Sequence, residues 1–137
     1  MTVEIEIAYQ GGLRCRAVHG PSGTTLLTDA PVDNCGRGES FSPTDLVATA
    51  LGACMLTIMG IVAERHGIDL SGATVRVEKH MAAAPRRRIA ALPVTIQVPG
   101  PIGEEDRRRL EYAARTCPVH ASLGETIERP IRFVWGG

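Results

Sequence analysis

Residues 41–67 read FSPTDLVATALGACMLTIMGIVAERHG, and they contain the most apolar stretch of the chain, residues 46–63. Residues 42–45 (SPTD) carry the signals of a helix start: a hydroxyl at the N-cap, a proline in the first turn and a carboxylate near the positive end of the helix dipole. Gly67 suits the residue that follows a last turn. The pattern therefore predicts a single helix that ends at His66, about 24 residues and ~36 Å long.

The predicted helix is apolar on every face until Glu64. A helix without a polar face must be covered on all sides, which a chain of 137 residues achieves with difficulty. Gly52 and Gly60 would let another backbone come close, so we expect a second copy of the chain to help bury the helix. Its uncharged run also reaches the lower limit for a membrane span. Because it lacks flanking belts of aromatic and basic residues, a buried helix is favoured and no membrane partner is expected.

Alternating apolar and polar residues predict strands on both sides of this helix. Three strands precede it, with a hairpin between the first two. Two strands follow it, then a second helix that starts near Glu104, then a last strand. The order βββ-α-ββ-α-β predicts an α+β fold in a single domain, residues 1–137, and residues 99–101 (PGP) should end the fifth strand. The predicted strands are residues 2–9, 13–17, 24–28, 74–80, 89–98 and 131–135.

Charge and cysteine content argue against several classes of function. Fifteen basic and fifteen acidic residues cancel, whereas binding to nucleic acid needs a net basic face. The chain opens without the basic and apolar regions of a signal peptide. Four cysteines without a secretion signal indicate a reducing, cytoplasmic location and free or catalytic thiols rather than a disulfide scaffold.

Cys54 and Cys117 are the residues most able to carry chemistry. Each has an ordinary alternative, since a cysteine in an apolar segment is usually a small core residue. Cys54 follows two small residues that leave space beside it, and Cys117 continues the apolar i, i+3, i+4, i+7 spacing of the second helix. Such a thiol becomes a nucleophile where it has a cationic neighbour and an entry path. Arg37, between two glycines in the preceding loop, is the first choice for that cation, and Arg14 and Arg16 are second choices.

The segment 117–120 (CPVH) also looks like half of a zinc site. No matching second pair of ligands exists, so we expect neither a metal nor another cofactor. His120 could orient or activate Cys117, and it could equally cap a following short helix.

In combination, residues 41–46 (FSPTDL), 50–54 (ALGAC) and 117–123 (CPVHASL) resemble the OsmC/Ohr family. The resemblance covers nearly the whole chain in order and spacing. It implies an intertwined homodimer in which antiparallel-rich sheets from both chains wrap two long central helices. The best-known members of that family reduce organic and inorganic hydroperoxides through a pair of cysteines, as part of oxidative-stress defence.

The resemblance implies a role for each candidate residue. Cys54 matches the peroxidatic cysteine, Cys117 the resolving cysteine, and Arg37 the arginine that stabilises the thiolate and polarises the peroxide. A hydroperoxide would oxidise Cys54 to a sulfenic acid, Cys117 would form a disulfide with it, and an external dithiol would reduce that disulfide. The apolar side chains expected to line the substrate pocket are Leu51, Met55 and Met59.

The start of the long helix departs from the family pattern. In the peroxidase branches an acid directly follows the proline, whereas here Thr44 does so and the acid is Asp45, rotated by about 100° on the helix. Glu39 and Asp45 are therefore the candidate partner acids of Arg37. Besides a thiol peroxidase, the sequence leaves open a non-catalytic dimer that binds a small apolar ligand or senses oxidants. A metal-binding or structural protein is the third hypothesis.

Overall fold

The computed structural model describes every residue from Met1 to Gly137 and divides into two compact units, Met1–Leu46 and Val47–Gly137. That the chain forms one domain stays a prediction. The first unit is an antiparallel sheet followed by a loop that contains a single 3-10 turn, Val32–Asn34. Its strands, in the sheet order β1-β2-β3, are β1 (Ile5–Gly11), β2 (Arg14–His19) and β3 (Thr25–Leu27).

The second unit contains most of the long helix, two shorter helices and five strands. Its central strand pairs antiparallel with one neighbour and parallel with the other, and a separate hairpin forms a two-stranded sheet. The central strand is β7, its neighbours are β4 and β8, and the hairpin is β5-β6. The elements are α1 (Pro43–His66), β4 (Thr74–Val77), β5 (His80–Ala82), β6 (Arg88–Ala91), β7 (Val94–Pro101), α2 (Glu104–Arg115), α3 (Pro118–Ser122) and β8 (Ile131–Gly136).

The long helix α1 has the bounds that the sequence predicts. The Ser42 N–H donates to the Asp45 carboxylate (2.9 Å), and the Asp45 N–H donates to the Ser42 hydroxyl (3.1 Å). This reciprocal pair satisfies backbone donors that a helix start leaves unpaired. At the other end Gly67 takes the left-handed conformation, φ 65°, that closes a helix. These local signals fix the position of every side chain along α1, including Cys54.

The strands between the helices differ from the prediction, although the α+β class is confirmed. Residues 89–98 form two strands instead of one, because Pro93 has no N–H to donate and the Leu92 N–H donates to the Glu128 carbonyl instead (2.8 Å). Residues 74–80 likewise divide between β4 and β5. The predicted strand end at Val98 is three residues too early, since β7 continues to Pro101 through a shift in register. The observed order is βββ-α-ββββ-α-α-β.

The core of the second unit contains the inward side of β7, one side of α1 and one side of α2. Gly52 lies against β4, where a Cβ would approach methyl groups of Val75 and Val77 to 2.9 Å. The close contact that the sequence assigned to a second copy at Gly52 is thus made within the chain, whereas Gly60 has open space beside it. The fully buried core side chains with the largest volumes are Leu51, Met55, Met59, Leu92, Ile96 and Leu110.

By length and composition alone, α1 could cross a membrane. The core helices of soluble proteins pass the same test. Because one side of α1 packs in the core of the second unit, the helix has protein contacts along its length. The absence of a membrane partner stays a prediction.

Candidate active site around two cysteines

Cys54 and Cys117, which are 63 residues apart in the sequence, come together in the second unit. Cys54 is partly buried in the middle of α1, and Cys117 is fully buried between α2 and α3. The two side chains are neighbours, close enough for Cys54 to raise the pKa of the Cys117 thiol, and both thiols are free. Two neighbouring free thiols can form a disulfide after one of them is oxidised.

Cys117 lies at the start of a helix rather than at the end of one, which corrects the prediction from sequence. Helix α2 stops at Arg115, and Cys117 is the N-cap of α3 in an extended conformation, φ −64° and ψ 149°. Pro118 explains this, because it disfavours a helical residue before it and suits the first helical position. The Sγ atom of Cys117 accepts the N–H of His120 at 3.4 Å.

Burial raises the pKa of the Cys117 thiol above its ordinary value of 9.0. The backbone N–H groups of His120 and Val119 oppose this shift, while the neighbouring Cys54 adds to it through its hydrogen bond and its charge. The Cys117 thiol is therefore protonated at neutral pH. The cause is desolvation, and not the negative end of a helix dipole that the sequence suggested.

His120 is held in its neutral form. Burial lowers the pKa of His120 below its ordinary value of 6.5, and the positive charges of Arg129 and Arg115 lower it further. Arg129 donates to the Gly124 carbonyl at 2.8 Å, and the Arg115 guanidinium lies 5.5 Å from the ring centre of Phe133. Sequence reasoning did not single out these two arginines, since neither belongs to a motif.

The candidate arginines of the first unit differ in how firmly they are held. Arg37 is 83% exposed, and its nearest acid is Glu39 at 3.9 Å. Arg14 is only 35% exposed, bonds to Glu39 and reaches the carboxylate of Asp29 at 3.4 Å. The Glu39–Arg37 pair expected from the sequence is therefore present but loose, and Arg14 has the stronger contacts.

Asp29 is the residue of this cluster that sequence reasoning missed. Its side chain is almost fully buried, and its Oδ2 atom accepts the Glu39 N–H at 3.0 Å. That hydrogen bond, followed by the charges of Arg14 and Arg37, lowers the pKa of the Asp29 carboxyl. An ionised, buried carboxylate thus holds both the Arg14 guanidinium and the Glu39 backbone. The only sequence signal was an acid directly after the third predicted strand.

Four further residues that the sequence assigned to the site lie in surroundings other than those predicted. Asp45 is engaged in the helix cap described above, so one of its carboxylate oxygens already accepts the Ser42 N–H. The predicted pocket residues have no accessible surface, because they fill the core between α1 and the other elements of the second unit. Within the single chain an alkyl chain could contact them only by displacing core side chains, and the pocket assignment stays a prediction. These three residues are Leu51, Met55 and Met59.

No group of three or more His, Cys, Asp or Glu side chains is placed to hold a metal ion. The predictions that the protein uses no metal and no cofactor stay predictions.

Comparison with known proteins gives consistent matches over the whole chain. The family model described as OsmC-like protein matches residues 36–129. A Psychrobacter arcticus protein, named as an osmotic stress induced and detoxification response protein, is 43% identical with a TM-score of 0.90, and the match covers 97% of this chain and 96% of that one. No match was found among the curated proteins.

Two more distant solved structures share the fold. An OsmC-like protein from Mycoplasma pneumoniae is 14% identical with a TM-score of 0.85, over 100% of this chain and 99% of the other. An organic hydroperoxide resistance protein from Legionella pneumophila is 16% identical with a TM-score of 0.78, over 98% and 97% of the two chains. At these identities the likeness establishes the fold.

Proposed function

Because the chain belongs to the OsmC-like protein family, we propose that it is a cytoplasmic thiol peroxidase that reduces organic hydroperoxides. The observation that carries this proposal is the contact between a partly accessible Cys54 and a buried, protonated Cys117. Structural relatives that are named organic hydroperoxide resistance proteins support the choice of substrate class. We also assign the protein to oxidative-stress defence.

The chemistry starts at Cys54, the more accessible thiol of the pair. Its thiolate attacks one peroxide oxygen, the O–O bond breaks, and the leaving alkoxide takes a proton to become an alcohol. Cys54 is then a sulfenic acid. The Cys117 sulfur attacks the Cys54 sulfur, the S–O bond breaks, and the hydroxide leaves as water with the Cys117 proton. An external dithiol supplies the two electrons that restore both thiols.

Arg37, the arginine that the family resemblance implies, and the alternative Arg14 both belong to the first unit, and they differ in how firmly they are held. A guanidinium that carboxylates hold in place keeps its donors oriented without losing side-chain entropy when a substrate binds. Arg14 has such contacts with Asp29 and Glu39, whereas Arg37 is largely exposed. Glu39 contacts both arginines, and we keep it as the candidate partner acid.

Exposed apolar surfaces on both units support a homodimer. On β1, Ile5, Ile7 and Tyr9 share one face of the sheet and remain 57–67% exposed. On α1, a face of small or apolar residues is also exposed, and Ile61 is its largest side chain. Monomeric soluble proteins rarely leave such surfaces uncovered. Light scattering at micromolar concentration tests the assembly, and a monomer would contradict it.

The peroxidase proposal is tested by counting free thiols before and after one equivalent of an alkyl hydroperoxide. The expected loss is two thiols per chain, and peptide mapping should recover a link between Cys54 and Cys117. The Cys54→Ser variant should not consume peroxide. The Cys117→Ser variant should complete one turnover and leave a sulfenic acid on Cys54 that a dimedone-type probe traps.

A second candidate function is supported by Thr44, which occupies the position of the acid in the peroxidase branches and hydrogen-bonds to the Ser42 hydroxyl (3.1 Å). This candidate is a non-catalytic dimer that binds a small apolar ligand or senses oxidants. No loss of thiols on exposure to hydroperoxide would favour it over the peroxidase.

A further inference from the structure

The sulfur of Cys117 has two contacts that use the same atom. It accepts the His120 N–H at 3.4 Å as the N-cap of α3, and it neighbours the Cys54 thiol. The first contact ties it to α3 and the second to α1. Any reaction that draws this sulfur toward Cys54 therefore acts on α3 as well.

We propose that formation of the Cys54–Cys117 disulfide removes the cap from α3 and loosens residues 118–124, and that this opening admits the reducing dithiol to the Cys117 sulfur. The inference rests on the proposed function, because it takes that disulfide as the oxidised state. In this scheme oxidation loosens α3, and the reductant acts on the Cys117 sulfur.

A disulfide requires a sulfur–sulfur bond of about 2.0 Å, much shorter than any contact between two thiols. In the proposed oxidation the Cys117 sulfur moves toward α1 and away from the His120 N–H that it accepts. This movement weakens that hydrogen bond in the oxidised protein.

Helix α3 is short, with only five residues. Besides the cap it has hydrogen bonds from the Ala121 N–H to the Cys117 carbonyl (3.0 Å), from the Leu123 N–H to the Val119 carbonyl (3.2 Å) and from the Ser122 hydroxyl to the Pro118 carbonyl (2.8 Å). Such a short helix depends on its cap and on side-chain packing, because helix formation has an unfavourable nucleation step. Val119, Leu123 and Ile127 supply that packing against the core.

The reduced fold gives a dithiol no route to Cys117, whose accessible surface is zero. Attack on the more accessible Cys54 sulfur would expel Cys117, and a thiol with a raised pKa is the slower leaving group. Attack on Cys117 expels Cys54 instead. The favourable reaction thus needs the buried sulfur to become accessible, and loosening of α3 provides that access only after oxidation.

The exchange balances as two displacements. A reductant thiolate attacks the Cys117 sulfur, the disulfide breaks, and Cys54 leaves as a thiolate. The second reductant thiol attacks the mixed disulfide, releases Cys117, and Cys117 takes up a proton. Two electrons pass from the dithiol to the protein, and Cys117 returns to its place as the cap of α3.

Hydrogen exchange of the amides of His120, Ala121 and Leu123 tests the cap with a matched pair of variants. Cys117→Ser keeps a capping oxygen, whereas Cys117→Ala removes the cap, and neither can form the disulfide. In reducing buffer we expect exchange in wild type and Cys117→Ser to be slow, and exchange in Cys117→Ala to be roughly tenfold faster. Oxidised wild type should resemble Cys117→Ala, while the amides of α2 serve as an internal reference.

A trapping experiment tests the site of attack. Oxidised wild type is mixed with glutathione, a monothiol, quenched with acid and mapped by mass spectrometry. We expect glutathione on Cys117. Finding it on Cys54, or finding α3 equally protected before and after oxidation, would overturn the inference. So would equal exchange in Cys117→Ala and Cys117→Ser.

Failure of the proposed function gives a different result. If hydroperoxide produces no Cys54–Cys117 disulfide, the peroxidase proposal is contradicted, and the same disulfide is then made with diamide for the exchange measurement. Loosening of α3 in the diamide-treated protein would still support the link between this disulfide and the helix. Unchanged protection there would refute that link.

Discussion

Gly52 is the position where a single methyl group should disturb the packing that places Cys54. In Gly52→Ala, the new Cβ would lie 2.9 Å from methyl groups of both Val75 and Val77. Carbon atoms that are not bonded pack at about 3.5–4.0 Å, so α1 and β4 would have to separate by roughly 0.6–1 Å. The two valines cannot swing aside easily, because branching at Cβ restricts their rotamers.

The size of the effect follows from two opposing contributions. Overpacking of a core contact costs about 1–3 kcal/mol, while alanine is favoured over glycine inside a helix by about 1 kcal/mol. Gly60→Ala is the matched control, because it makes the same change in the same helix with nothing within 4 Å in the chain. The helix preference cancels between the two variants. Their free energies of unfolding should therefore differ by about 1–3 kcal/mol, with Gly52→Ala the less stable.

Urea unfolding of the reduced proteins measures this difference, at one protomer concentration so that association does not bias the comparison. Adding Val77→Ala to Gly52→Ala should recover part of the loss, because it removes one of the two clashing side chains. Equal stability of Gly52→Ala and Gly60→Ala would show that the contact between α1 and β4 is not tight. A Gly60→Ala protein that no longer dimerises would instead place Gly60 in the interface between copies.

Three further variants test the site and its supports. Arg14→Ala should lower the free energy of unfolding in urea more than Arg37→Ala does, because it leaves the buried Asp29 carboxylate without its guanidinium partner; equal values would argue against that contact. Because burial and two arginines lower the pKa of His120 from 6.5, wild type should lose stability as pH falls below about 6.5, and His120→Gln should lose less in thermal unfolding between pH 7 and 5. The sign follows because the unfolded chain binds the proton that the folded histidine does not. Ser42→Ala should lower the free energy of unfolding in urea by about 1 kcal/mol through loss of the α1 cap, and an unchanged value would argue against that capping pair.

The features that could be predicted from sequence are those encoded by neighbouring residues. The start of α1 depends on Ser42, Pro43 and Asp45, which are within three positions of one another, and its end depends on Gly67. The alternation in β1 and β2 gives their hairpin in the same way. Burial of Cys117 also followed from its spacing with Leu110 and Ala114.

The errors arise where contacts between distant residues decide the structure. The cluster around Asp29 was missed because the partners of Arg14 are 15 and 25 positions away, which no local pattern reveals. Gly52 faces β4 because of how α1 packs, which the helix sequence alone does not specify. Pro93 did carry a local signal that divides residues 89–98, but the apolar run around it resembles one continuous buried strand.

The position of Cys117 depends both on local sequence signals and on contacts with distant residues. Its burial decides the roles of the two thiols. Its apolar spacing correctly placed it in the core, while Pro118 carried the unused signal for a new helix start. An N-cap position alone would favour a thiolate, so local geometry would make Cys117 the reactive thiol. Desolvation outweighs that effect and keeps the thiol protonated, and zero accessible surface keeps a peroxide away from it. Of the two thiols, Cys54 is therefore the one that an oxidant can reach first, which agrees with the assignment implied by the family resemblance but does not depend on it.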